Sequence, residues 1–248
     1  MFSRSEIEKF LFFDVETAGG VAKAKDLSDR MLQLWSRRCE YLRSIDKHPE
    51  NATMSDDQLW LEKAGLQAEF GKIVCISFGK VKFPDDLDLP PMVQVVSYAG
   101  DDEVEILTKA AKIFNAMYKN KVVPFGHNIK RFDIPYICKR SFINGLEPPV
   151  PLQVWDKKPW EIDVKDSSEL WSFGAWQEGF TSLDLLTASF GLPSPKDEMA
   201  GDKVHSEYYA GNVEDIKTYC SKDVIAMIRV VFVLSKLNQF DESDVIYK

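Results

Sequence analysis

"KFLFFDV", residues 9–15, is a short apolar and aromatic run, and "ET" follows it directly at 16–17. The run is too short for a helix and reads as a buried strand. Side chains alternate along a strand, so Asp14 and Glu16 point to one face, the face that already holds Phe10 and Phe12. The acids close the strand on this reading. Two carboxylates therefore emerge together at its carboxyl end, where open α/β sheets bind ligands. The bland reading of the same letters is a strand end running into the turn "DVETAGG".

The pattern extends outward from this strand. Residues 22–48 carry Leu27, Met31, Leu34, Trp35, Cys39 and Leu42 at helical spacing. A second helix is expected over 55–68, with Ser55 as N-cap and Gln58 three residues on. Together they form a helical insertion, about 22–68, after the first strand. "KIVCISFGKVKF" (72–83) and "MVQVVSYA" (92–99) read as strands, and 102–119 as an amphipathic helix. "KVVPFGHN" (121–128) reads as a strand leading into a turn. The next helix starts near Ile134, with Pro135 in its first turn and Gly145 just past its end. Residues 151–180 form a polar, tryptophan-rich segment. A helix covers 182–192, and the stretch up to Gly211 reads as a loop. The last helix runs from near Asn212, with Asp215 completing a partial capping box, to about Leu237. The interleaving predicts an α/β fold with a mixed sheet, in one domain spanning 1–248.

Composition narrows the classes. The chain has 248 residues, 45% of them hydrophobic, enough for a sizeable core. A formal net charge of −8 excludes the broad basic footprint of a protein that coats nucleic acid. It leaves room for a local groove in which a metal ion inverts the field. Cys39, Cys75, Cys138 and Cys220 are dispersed and form no CxxC, which argues against a thiolate zinc site or a disulfide framework. There is no signal-peptide stretch, and no apolar run approaches the ~18 residues of a membrane span. The expectation is a soluble, cytoplasmic protein without a membrane partner.

Two further acids join the first pair. Asp133 follows a strand near the start of the next helix, where it reads both as an N-cap and as a ligand kept ionised by the helix N-terminus. Asp223 shares a helix face with Ile216, Tyr219, Met227, Val230 and Leu234. A carboxylate on an apolar face needs a partner. Tyr219 one turn earlier reads either as core or as part of the same site. Asn128 has a turn reading and Phe132 a core reading beside their functional ones. Four acids on three elements make an oxygen-rich set suited to hard cations. With only His48, His127 and His205 present, a histidine-rich zinc site is poorly supported, and His127 reads as a structural turn residue.

"FFDVET", "GHNIKRFDIPY" and "YCSKD", in that order, resemble the three motifs of the DEDD superfamily of 3′–5′ exonucleases. The second is similar to the N-x-x-x-F-D-x-P-Y pattern of proofreading domains in family B DNA polymerases. The third has the tyrosine form, Y-x-x-x-D; the histidine form would need His at 218, where this chain has Thr218. "EFGKIVCISFG" and "SLDLLTASFGLPSPK" resemble stand-alone bacterial and phage relatives of that domain. The resemblance runs over about residues 9–236. It implies a ribonuclease H-like fold and a metal-dependent 3′–5′ exonuclease that releases nucleoside monophosphates from single-stranded DNA. The implied cofactors are two divalent cations, Mg²⁺ or Mn²⁺, about 3.5–4 Å apart. Asp14 would bridge them, Glu16 and Asp223 would hold the nucleophile-side ion, and Asp133 would support the second. Tyr219 would orient the attacking water. Thr17 and Asn128 would meet the terminal nucleotide, Phe132 a base, and Lys196 and Lys203 phosphates. The implied partners are 3′ ends of single strands, DNA ahead of RNA, with replication or repair proteins. An exoribonuclease or oligonucleotide-degrading enzyme, or a silent nuclease-fold module, are the alternatives.

Overall fold

In this computed structural model, residues 1–248 are described except 46–47, 87–88, 159–160, 176–180 and 195–198. A short helix, α1 (Arg4–Ile7), precedes the central strand β1 (Phe10–Gly19). Two helices follow, α2 (Asp29–Arg43) and α3 (Asp56–Lys63), the latter passing into a 3-10 turn at Ala64–Leu66. Ser55 and Gln58 form the expected capping box of α3. Strands β2 (Gly71–Lys82) and β3 (Met92–Ala99) form an antiparallel meander with β1. Helix α4 (Glu103–Lys119), strand β4 (Val123–Gly126) and helix α5 (Asp133–Ile143) complete the first half.

The second half is where the sequence reading needs correction. The 151–180 segment contains strand β5 (Lys165–Asp166) and helix α6 (Ser167–Ser172). Helix α7 (Leu183–Ser189) is shorter than its expected span. The expected loop before Gly211 contains helix α8 (Val204–Ala210). Helix α9 (Val213–Leu234) follows, and a terminal strand β6 (Val245–Tyr247) was not foreseen. Asn212 caps α9 without a side-chain hydrogen bond, so the capping box with Asp215 does not form. The Asn212 amide instead reaches the Glu207 carboxylate at 2.6 Å.

The sheet has the order β5-β4-β1-β2-β3-β6. β1 pairs antiparallel with β2 but parallel with β4, so the sheet is mixed. Odd positions of β1, Leu11, Phe13 and Val15, pack with α4 and α5 through Ile106, Phe114 and Ile137. Phe10 and Phe12 face the other way, against Val224, Ile228 and Val231 of α9. The sheet is thus the middle layer between α4–α5 and α9. Aromatic edge-to-face contacts, such as Phe13 on Phe114 at 5.0 Å, fill the first of these cores. A separate cluster, with Trp35, Cys39, Leu59 and Trp60 fully buried, forms the core of the helical insertion.

Candidate active site

β1 does not end at its acids; it runs on to Gly19. What ends there is the parallel pairing with β4, whose last partners are Phe12 and Phe125. Asp14 and Glu16 therefore lie just past the fork where β4 leaves β1. The ladder to β2 slips immediately after them: Glu16 pairs with Cys75 and Thr17 with Ile73. Such an irregularity re-aims the following side chains, a common device beside functional sites.

The even-residue face of β1 puts Asp14 against α9. The Cys220 thiol lies 3.6 Å from Asp14 Oδ2 and 3.5 Å from the Asp14 carbonyl oxygen, donating to this residue. Ligand atoms of Asp14, Glu16 and Cys220 all lie within 4.8 Å of one another. Burial, then Cys75 and the charges of Asp14 and Glu16, push the Cys220 pKa well up, so the group stays a thiol and a hydrogen-bond donor. Cysteines dispersed in the sequence meet here, since Cys75 on β2 hydrogen-bonds Cys220. A buried ladder continues behind the site: Ser77 to Ser97 at 2.7 Å, Ser97 to Ser221 at 2.8 Å, and Ser221 to the Lys217 carbonyl at 2.7 Å. It ties β2 and β3 to the turn of α9 that carries Tyr219 and Asp223.

Asp133 enters from the opposite layer. It is the first residue of α5, and Phe132 takes the N-cap position, so the simple N-cap reading fails. The Val15 backbone N–H donates to Asp133 Oδ1 at 3.2 Å, which brings this buried carboxylate to β1 between the other two acids. Asp223 and Tyr219 come from α9, as the helical spacing required. The Tyr219 hydroxyl hydrogen-bonds the Asp223 carboxylate.

Asp133 and Asp223 stand outside the 4.8 Å group of Asp14, Glu16 and Cys220, but their charges act on Asp14. Burial raises the Asp14 pKa well above the usual carboxylate range, and the charges of Asp223, Glu16 and Asp133 raise it further. Burial pushes Asp133 up to about 7, against the backbone N–H groups that favour its charge and with Asp166 and Asp223 opposing it. Burial, then Asp223, Glu16 and Asp14, push the Tyr219 phenol up as well. Carboxylates crowded in this way, with no basic side chain hydrogen-bonded to Asp14 or Asp133 among the described residues, fit divalent cations.

The remaining expected residues separate. Thr17 is half-buried next to the ladder slip. Phe132 is half-buried and packs on Tyr136 with ring centroids 5.3 Å apart. Asn128 takes a left-handed conformation, φ 63°, as a turn residue does. Its backbone N–H donates to Asp166 Oδ1 at 2.8 Å. Asp166, missed in the sequence, is fully engaged in structure, accepting also from Lys130 N and from Ser168. His127 bridges Ser167 and the Thr181 carbonyl, each at 2.8 Å, which agrees with its turn reading. Lys196 lies outside the described residues. Lys203 lines a cavity of about 360 Å³ on the α8–α9 side of the site, together with Tyr219, Thr218 and Lys222. Lys222, inside "YCSKD", was not singled out by the sequence reading; it is half-exposed beside the motif acid.

A mixed sheet with flanking helices and acids at the fork of its central strands defines a ribonuclease H-like α/β protein. The solved structure of the family B DNA polymerase from the hyperthermophilic archaeon Pyrobaculum calidifontis shares the fold: TM-score 0.51 and 13% identity, over 91% of this chain and 24% of that one. The chain belongs to the family of predicted 3′–5′ exonucleases related to the exonuclease domain of PolB, whose model matches residues 64–243. Asp133, Tyr219 and Asp223 lie within that match; Asp14 and Glu16 precede it. A curated relative, transcription elongation factor GreB of Haemophilus ducreyi, is 29% identical over 97 residues, 38% of this chain. The match takes in 59% of that protein's length.

Proposed function

We propose that this protein is a DEDD exonuclease of the tyrosine type, one domain over 1–248, that removes nucleotides from the 3′ end of single-stranded DNA. The observation that carries the reading is the meeting of Asp14, Glu16, Asp133 and Asp223, from β1, α5 and α9, with Tyr219 hydrogen-bonded among them. Asp14, Glu16, Asp133 and Asp223 would hold Mg²⁺ or Mn²⁺, which would supply positive charge favouring hydroxide over water and an alkoxide leaving group. The protein's own groups do the positioning. Cys220 holds one rotamer of Asp14 through its S–H donor. Val15 N–H fixes Asp133. Tyr219 keeps its proton, so it acts as a donor that orients the attacking water rather than as a base. Thr17 and Phe132 would meet the terminal nucleotide, and Lys203, which lines one cavity with Tyr219, would meet a phosphate.

The test is a labelled strand. A 5′-labelled single strand incubated with Mn²⁺ should give a descending ladder, and a 3′-labelled one should release mononucleotide at once. Excess EDTA should stop both. Cleavage that persists in EDTA, or that opens circular single strands as readily, removes the exonuclease reading. Matched DNA and RNA strands run side by side decide the sugar preference.

A further inference from the structure

On the side of the site away from Lys203, a cavity of about 470 Å³ opens between the helical insertion and the start of α5. Arg38, Phe70, Arg131, Phe132, Tyr136 and Lys139 line it. We propose that this groove carries the single strand upstream of its reacting 3′ end, with the insertion supplying one wall. The proposal rests on the exonuclease reading and extends it to the helical insertion, whose Arg38 precedes the matched family region.

Position supports it first. The groove adjoins the acids directly: Phe132 precedes Asp133, and Tyr136 stands one turn further along α5. On the other wall, the 3-10 turn after α3 lies on β1, so close that a Cβ on Gly65 would stand 3.1 Å from the Thr17 carbonyl oxygen.

Chemistry supports it second. Three cations and one acid, Glu69, line the groove in a chain of net charge −8. Lys139 pairs with Glu69 at 3.1 Å; Arg38 hydrogen-bonds the neutral amide of Gln67 and lies over the Tyr41 ring at 4.8 Å. The Arg131 side chain is exposed and makes no hydrogen bond or ion pair among the described residues. Phe70 is half-buried, held by Trp35 at 5.0 Å, and Phe132 is held by Tyr136. Cations alternating with anchored aromatic faces are what sequence-tolerant single-strand binding uses. The cavity beside Tyr219 differs: Lys203 and Lys222 are balanced there by Glu207 and Asp215.

The experiment is a length series with the full chain. Oligodeoxythymidylates from a dinucleotide to roughly a dodecamer are titrated in EDTA at several salt concentrations. Affinity of the wild type should rise with length and then level off. Arg131→Ala and Arg38→Ala should each weaken dodecamer binding about 3–10-fold and flatten the slope of log Kd against log salt by about 0.7, the share of one phosphate on a single strand. The ratio of dodecamer to dinucleotide affinity should fall with them. Arg38→Ala also loses Gln67, so a thermal melt accompanies it; Arg131→Glu breaks no hydrogen bond or ion pair among the described residues and gives the stronger effect. Unchanged affinity and salt slope in both Arg131 variants overturn the groove. Wild-type binding that ignores length overturns it too, even with cleavage intact. A wild type that cuts neither dinucleotide nor dodecamer with Mn²⁺ overturns the exonuclease reading instead.

Discussion

Tyr219 and Asp14 are the residues on which the chemistry turns. Tyr219→Phe removes only a hydroxyl from a side chain otherwise packed against Ile216 and Cys220. It should lower kcat by about 10–10³-fold with little change in KM and leave the fold intact. Steady-state kinetics beside a circular dichroism melt measures both; full activity would return Tyr219 to the core. The charges of Asp223, Glu16 and Asp133 all oppose ionisation of Asp14. Asp14→Asn should therefore make the metal-free protein as stable as the wild type or more so, while abolishing cleavage. Mn²⁺ at ten times its Kd should stabilise the wild type by roughly 1.4 kcal/mol. In a chain of this size that is a melting shift of about 3–6 °C. The variant should lose most of it. An Asn variant that is strongly destabilised without metal, or that keeps the full shift, makes Asp14 a structural strand residue.

At the scale of elements, the position of α9 against the sheet sets where Tyr219 and Asp223 stand. The contact is tight at Gly79 of β2. A Cβ there would meet Val224 Cγ1 at 2.5 Å and Ile228 Cδ1 at 3.1 Å, and Val224 follows Asp223 directly. Gly79→Ala overpacks this seam and should cost about 1–3 kcal/mol. It should also lower kcat by displacing the two α9 residues from Asp14. Urea denaturation and kinetics on the same variant test both effects, and an Ala variant of wild-type stability and rate means α9 is not seated by this seam. Behind it, the Ser77–Ser97–Ser221 ladder fixes the rotation of α9 by hydrogen bonds rather than by shape.

For the whole molecule, the buried titratable groups oppose one another in pH. His205 accepts from Gly19 N–H at 3.0 Å and donates to the Ala22 carbonyl at 3.1 Å, and burial lowers its pKa. Burial lowers that of His127 too. The unfolded chain then takes the proton first, so this stability is present above about pH 6.5 and drains as pH falls towards the lowered folded values. Asp133, raised to about 7, acts in the reverse sense: its contribution is complete below the ordinary carboxylate pKa and is lost as pH rises through about 7. Asp14 adds to that loss. Without metal, the melting temperature should peak at about pH 5–6.5 and decline above it. With Mn²⁺ the carboxylates gain a partner, and the peak should move above about pH 7. Melts across this range in EDTA and in Mn²⁺ check it; an EDTA curve that keeps rising past pH 8 would mean the acids do not repel one another.

The amino-acid sequence determined what depends on local period and spacing. β3 over 92–99, the capping box of α3, the shared face of Asp14 and Glu16, and the inward side of α9 all follow from patterns within one element. Tertiary structure decided what no local pattern encodes. β5 and β6 have two and three residues, too few for a period, and exist only because β4 and β3 offer them ladder partners. α8 is a single short helix within a stretch rich in turn residues, and its His205 gains meaning only from Gly19, 186 residues away. Asp133 looked like a cap because its role depends on Val15, across a layer boundary. Cys220 and Cys75 looked scattered because β2 and α9 are far apart in the chain. The carboxylate motifs could be read one at a time, but their mutual repulsion, and with it the need for a cation, arises only where the fork between β1 and β4 brings three elements to one point.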